Sequence, residues 1–221
     1  MSAEPEPSND ALLCFSRHPN APAAAANRYP WPMLYLASQS PRRRELLTQL
    51  GLEFSVLDVV VPELRQDGEP ALDYVSRVAR EKAGAGLLEV MTSPDALVLG
   101  ADTEVVLDDA VYGKPVDATD AARMLRLLSG RSHRVITAIW VLSAGREEHA
   151  ICESEVRFAA LGESEIAAYL ETGEWQGKAG AYAVQGRAAA FIEHLSGSYS
   201  SVMGLPLHET SLLLRKFAAP T

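Results

Sequence analysis

The sequence predicts an α/β domain in which a mixed central sheet is flanked by helices. Three observations lead there. From Met33 onward, short apolar runs alternate with amphipathic segments of helical period, the interleaving that gives α/β architecture. No internal repeat divides the chain. Its 221 residues, 48% of them hydrophobic and 22% charged, make one large domain or two small ones with ample material for a buried core.

The elements follow in order. Residues 1–30 are dominated by proline, alanine, asparagine and serine without period, and read as a disordered extension ahead of a folded domain over 31–221. Met33, just before the first strand, offers a second place for translation to start. Residues 33–37 read as a strand and 41–50 as a helix closed by Gly51. A strand is expected over 54–61. A long helix follows over 71–88, with Leu72, Val75, Val78, Ala79 and Ala83 along one face. Residues 96–107 read as a pair of strand segments ending in a turn at Asp108-Asp109. The helix over 117–128 has an acidic first turn and Ser129-Gly130 at its end. Strands over 132–142 and 148–158 form a hairpin around Ala144-Gly145-Arg146. A helix over 163–171 precedes a glycine-rich stretch with short strands near Tyr182 and Phe191. The last helix, 206–217, has proline in its first turn.

Charge and cysteine usage narrow the function. A formal charge of −9 argues against non-specific nucleic-acid binding, which needs a broad basic surface. A small polyanion remains compatible if basic residues are concentrated locally. Only Cys14 and Cys152 are present, with no CxxC pair, which fits a reducing cytosol. No apolar run approaches membrane-spanning length, and the start lacks the basic and apolar regions of a secretory signal. A cytoplasmic protein without membrane or nucleic-acid partners is expected.

Several segments carry chemistry. In Ser38-Gln39-Ser40-Pro41-Arg42-Arg43-Arg44, Ser40 can cap a helix whose first residue is Pro41. Three arginines then crowd the positive end of the helix dipole, which suits a bound anion or else a solvated basic turn. In Leu97-Val98-Leu99-Gly100-Ala101-Asp102-Thr103, a buried strand runs into a carboxylate. Glu104 shares a face with Asp102 if the chain stays extended. Such acids can hold a hard cation or take a proton from water, or be ordinary acids at a strand end. Lys82 and Lys114 are isolated lysines that read individually as surface charge. Lys178-Ala179-Gly180-Ala181-Tyr182-Ala183-Val184-Gln185-Gly186 is dense in glycine, as in backbone folded around a ligand or in a tight hairpin. No GxxxxGK[ST] loop, GxGxxG, HExxH or GxSxG motif occurs, and the five histidines show no ligand spacing. The residues alone therefore lead to a phosphate-binding α/β hydrolase and no further.

The order of the motifs resembles the Maf family. Leu36 to Arg43, Glu63, Lys82, Leu99-Gly100-Ala101-Asp102-Thr103, Lys114-Pro115, Ala179-Gly180-Ala181-Tyr182 and Gln185-Gly186 carry the likeness, which spans residues 33–217. The stretch ending in Gln185-Gly186 looks like the branch acting on dTTP and UTP rather than on 7-methyl-GTP. The resemblance implies a Maf/ITPase-like fold of two lobes around a cleft, and a homodimer. It implies a nucleoside triphosphate pyrophosphatase yielding the monophosphate and pyrophosphate with a divalent cation, Mg2+ or Mn2+. In that picture Asp102 is the proton acceptor and Glu63 and Asp102 bind metal. Ser38, Arg43, Lys82 and Lys114 bind the nucleotide, and Arg42, Thr103 and Gln185 match substrate-discriminating positions. The Gln185 amide offers one donor and one acceptor group, complementary to an imide edge. Two positions depart from the family's pattern: Gly177 stands where an acid is common, and Ala183 where glycine is. The rival reading is a nucleotide-sensing protein of septum formation and division arrest, which needs no Asp102.

Overall fold

The computed structural model describes residues 33–218. The extension over 1–30, with Cys14, lies outside them. A seven-stranded mixed sheet runs through the domain in the order β2-β1-β3-β5-β6-β7, with β4 beside β3. Its strands are β1 (Leu34–Ala37), β2 (Ser55–Leu57), β3 (Leu97–Leu107), β4 (Ala110–Tyr112), β5 (Ser132–Ser143), β6 (Arg146–Phe158) and β7 (Ile192–Ser196). The helices are α1 (Pro41–Gln49), α2 (Ala71–Glu89), α3 (Ala118–Leu128), α4 (Glu163–Glu171), α5 (Tyr199–Met203) and α6 (Leu207–Phe217). β1 is parallel to both β2 and β3, and the other pairings are antiparallel. No helix among the described residues is long and apolar enough to cross a membrane.

Helices cover the sheet on both faces, so the β3 strand at its centre is buried along nearly its whole length. On one face, Leu97, Leu99, Ala101 and Val105 pack with side chains of α1, α3, α4 and α6. On the other, α2 presents Val75, Val78 and Ala79 to Val106, Ile136 and Ala138. Gly100 allows that close approach, because a Cβ there would meet the Ala79 carbonyl oxygen at 2.4 Å.

Three expectations are corrected, and two elements, β4 and α5, are additional to the sequence reading. The strand expected over 54–61 stops at Leu57, because its only neighbour, β1, ends at Ala37 and leaves nothing further to pair with. The chain after Leu57 is irregular and carries Glu63 toward the centre of the molecule. Residues 97–107 form one unbroken strand, held together by continuous pairing with β5 from Val98 to Val106. The expected turn at Asp108-Asp109 is present, with φ 50° and 63°, and leads into β4, a strand that sequence reading did not anticipate. Near Tyr182 the chain forms a 3-10 turn, Ala179–Ala181, instead of a strand, whereas the strand expected near Phe191 is β7, which starts at Ile192 directly after the 3-10 turn Arg187–Phe191. Gly180 and Ala181 both take left-handed φ, near 65° and 62°, which breaks any extended run. The short helix α5, capped by Ser198 and ended by Gly204 at φ 118°, was also not anticipated.

The pairing pattern of β3 opens the molecule. One edge pairs with β5 throughout, whereas the other pairs with β1 over 97–100 and with β4 over 105–107. Residues 101–104 have no strand partner on that second edge. A cleft of about 850 Å³ lies at this fork.

Candidate active site

The fork puts the middle of β3 at the floor of the cleft. Alternation along the strand sends Asp102 and Glu104 toward α2 and Thr103 toward α1 and α5. Asp102 is 5% exposed, and its Oδ1 accepts a hydrogen bond of 2.6 Å from Lys82 Nζ of α2. Gly100, two residues earlier on the same face, is what lets α2 bring that ammonium so close. Lys82 also contacts Glu63 Oε1 at 2.7 Å, while Lys114, just past β4, reaches Glu63 Oε2 at 2.5 Å. Glu63 thus has both oxygens engaged by lysines. Burial works against its charge, but the hydrogen bonds from Lys114 and Lys82 outweigh it and hold its pKa near about 2.

Two carboxylate oxygens on this floor are buried without a hydrogen-bond partner among the described residues, Asp102 Oδ2 and Glu104 Oε2. Burial, then the neighbouring Asp102 and Glu63 charges, pushes the Glu104 carboxyl up to about 8.

The opposite wall is built around Arg43, the second helical residue after Pro41. Its Nε donates to the Gly204 carbonyl at 2.8 Å, one terminal nitrogen to Ser38 Oγ at 3.3 Å and the other to Thr103 Oγ1 at 3.1 Å. Ser38, at the end of β1, also accepts from the Ser40 amide at 3.3 Å. Thr103 Oγ1 lies 2.9 Å from Thr137 Oγ1, directly across the β3–β5 pair, and Thr137 Oγ1 donates to the Ser201 carbonyl at 2.8 Å. Because Thr137 spends its only proton on Ser201, Thr103 must donate to Thr137 and accept from Arg43. The hydroxyl of Thr103 is therefore fully used in aiming the guanidinium. Burial lowers the pKa of Arg43, opposed by Asp102 and Glu63, and it remains a cation.

Of the three arginines in the first turn of α1, Arg42 and Arg43 line the cleft, while Arg44 is exposed outside it. Arg42 donates no hydrogen bond within the described residues. Burial, then repulsion from Arg43, brings its pKa down to about 10. Lys178 lies near it, and burial together with Arg42 lowers the pKa of that lysine too. Gln185, exposed and without a hydrogen-bond partner in the described residues, lines the same cleft. Ala183 has ordinary negative φ, so the methyl group in place of glycine imposes no backbone strain.

The structure thus brings Ser38, Arg42, Arg43, Glu63, Lys82, Asp102, Thr103, Lys114 and Gln185 to one cleft. Despite the net charge of −9, Arg42, Arg43, Lys82, Lys114 and Lys178 concentrate there, as binding a small polyanion requires. Sequence reading named Glu104 with Asp102 as an acid able to hold a cation or take a proton and Lys178 as part of the glycine-rich stretch, assigned neither a definite role, and missed Thr137. Lys178 adjoins the glycine-rich motif and Glu104 shares the face of Asp102, so both had a signal. Thr137 had none, because its position depends on the register between β3 and β5.

A family model described as Maf-like protein matches residues 33–217. A protein of Xanthomonas euvesicatoria pv. vesicatoria (strain 85-10) named dTTP/UTP pyrophosphatase is 59% identical over 189 residues, covering 85% of this chain and 100% of that protein. A dTTP/UTP pyrophosphatase of Xanthomonas axonopodis pv. citri (strain 306) matches to the same extent. A nucleoside triphosphate pyrophosphatase of Xylella fastidiosa (strain M23) is 53% identical over 186 residues, covering 84% of this chain and 98% of that protein. With a family model and near-full-length relatives agreeing across the same region, the chain belongs to the Maf family.

Proposed function

We propose that the protein hydrolyses dTTP and UTP to the monophosphate and pyrophosphate. One observation carries this reading: a buried carboxylate with an unpartnered oxygen, Asp102, lies in a cleft lined by Arg42, Arg43, Lys82, Lys114 and Lys178. The names of the closely similar relatives support the substrate.

The cations neutralise the triphosphate and stabilise the charge that grows on the leaving pyrophosphate. Arg43 acts as a rigid fork, since Ser38, Thr103 and Gly204 fix its orientation. Lys82 orients Asp102 through a hydrogen bond to Oδ1, and the Asp102 carboxylate accepts the proton of a water. That water attacks the α-phosphorus, the bond from it to the bridging oxygen breaks, and the electron pair leaves with pyrophosphate. A positioned base of this kind contributes about 10²–10⁴-fold. Gln185 reads the pyrimidine imide edge with its amide.

A divalent cation, Mg2+ or Mn2+, suits the donor set, because Asp102 Oδ2 is a buried oxygen lacking a partner and hard cations take oxygen ligands. Asp102 would hold it through Oδ2, and Glu63 would join by exchanging one of its two lysine contacts for the cation. Among the described residues no three His, Cys, Asp or Glu side chains gather into a complete cage, so phosphate oxygens and water would fill the remaining positions. When bound, the cation supplies charge neutralisation at the phosphates.

The reading is tested by assaying pyrophosphate release from a panel of canonical and modified nucleoside triphosphates with Mg2+ or Mn2+. UTP and dTTP should exceed ATP and GTP in kcat/KM by at least about tenfold. Equal use of purines, or no pyrophosphate from any nucleotide, would overturn it.

A further inference from the structure

Glu104 has no part in the reading above, yet it is the most anomalous side chain in the cleft. It is 7% exposed, accepts no hydrogen bond among the described residues, and has Oε2 buried. Its cross-strand neighbour is Ile136, and Val106, two residues on, packs into the apolar cluster under α2. A β-branched apolar side chain would fit this strand position without penalty, whereas a desolvated carboxylate without a partner is costly. Neither nearby ammonium donates a hydrogen bond to it: Lys82 bridges Asp102 and Glu63, and Lys114 is bound to Glu63. Gly113, in the loop after β4, faces it; a Cβ there would stand 3.6 Å from Glu104 Oε2, an ordinary contact that supplies no donor. Asp102 Oδ2, on the same face of β3, is the other unpartnered carboxylate oxygen of this floor. Two buried acceptors with no donor, on one face of one strand and open to one cleft, are the shape of a missing hard cation. We infer that Glu104 is a direct ligand of a divalent cation, which it shares with Asp102. This deepens the proposed metal-assisted reading and rests on it for the purpose of the cation, while the binding itself is measured separately.

The test uses the full chain without nucleotide. Mn2+ is titrated into wild type, Glu104→Gln and Glu104→Ile, with free Mn2+ read from its EPR signal and unfolding temperatures taken in EDTA and in Mn2+. Both variants should bind Mn2+ at least about tenfold more weakly than wild type. They should also lose most of the Mn2+-dependent rise in Tm, while their Tm in EDTA equals or exceeds that of wild type. Glu104→Gln, which keeps the shape of the side chain, decides the matter should the isoleucine variant fold poorly. Wild-type Mn2+ affinity in Glu104→Gln, or no Mn2+ binding to wild type below about 1 mM, overturns the inference. Failure of the pyrophosphatase reading would look different: Mn2+ would bind through Glu104, yet dTTP and UTP would yield no pyrophosphate.

Discussion

Gly100 links the packing of the sheet to the chemistry of the cleft, and replacing it by alanine should damage both. The added Cβ would lie 2.4 Å from the Ala79 carbonyl oxygen, 2.6 Å from the Ala83 amide nitrogen and 2.8 Å from the Ala83 Cβ. Carbon contacts relax near about 3.5 Å, so α2 must retreat from β3 by roughly 1 Å. The two nearest atoms are helix backbone and cannot rotate aside. Lys82, between those residues, moves with the helix and withdraws from its 2.6 Å contact with Asp102. Overpacking of this kind costs about 1–3 kcal/mol, and a misplacement of about 1 Å at a reacting group costs about 10²-fold in rate. Gly100→Ala is therefore expected to lower Tm by about 4–8 °C, as 2 kcal/mol does in a domain of about this size, and to lower kcat/KM for dTTP by about 10²-fold. Adding Ala83→Gly removes only the farthest of the three contacts, so it should restore neither quantity. Wild-type Tm and kcat/KM in Gly100→Ala would refute the claim that this glycine sets the position of Lys82.

Other perturbations separate positioning from readout and stability. Thr137→Val keeps the shape but leaves the Ser201 carbonyl without its donor and Thr103 without its acceptor, at about 1–3 kcal/mol for each buried group left unpaired. Stability and kcat/KM should both fall, the latter about tenfold, and Thr137→Ser should recover both; a loss of stability alone would make Thr137 purely structural. Gln185→Glu should lower kcat/KM for UTP and dTTP at least about tenfold, since the imide carbonyl loses a donor and meets a charge. A common fall for UTP, dTTP and ATP would instead make Gln185 a loop residue. His133 is 2% exposed, hydrogen-bonded to the Tyr182 hydroxyl, and burial holds its pKa down at about 4 against 6.5 for a free side chain. The unfolded chain therefore takes up this proton first, and stability drops as pH falls from about 6.5 to 4, by up to about 3 kcal/mol. His133→Gln should flatten that part of the urea-unfolding profile, and an unchanged slope would assign it to other groups.

Much of this was legible in the sequence because it depends on local pattern. The period of Leu72, Val75, Val78, Ala79 and Ala83 marks α2, and Ser40-Pro41 marks the start of α1. Runs such as Leu97-Val98-Leu99 mark a strand buried on both faces. What was not legible depends on partners distant in the chain. The length of β2 is set by how soon β1 ends, and the turns around Tyr182 by two successive left-handed residues, one of them an alanine. The same division holds in the cleft. Asp102 and the arginines of α1 stand in recognisable motifs. The service of Thr137 to Arg43 arises only once β3 and β5 are in register, and the isolation of Glu104 only once Glu63 has taken both lysines.

The central claim is that Asp102 activates water for attack on the α-phosphorus of a pyrimidine nucleoside triphosphate. The most direct measurement is single-turnover conversion of dTTP by wild type and Asp102→Asn, resolving every phosphorus-containing product and measuring dTTP binding alongside. Wild type should give dTMP and pyrophosphate alone, and Asp102→Asn should bind dTTP within a few-fold of wild type yet react at least about 10²-fold more slowly. Release of dTDP and inorganic phosphate, or retention by the variant of more than about a tenth of the wild-type rate, would contradict the account.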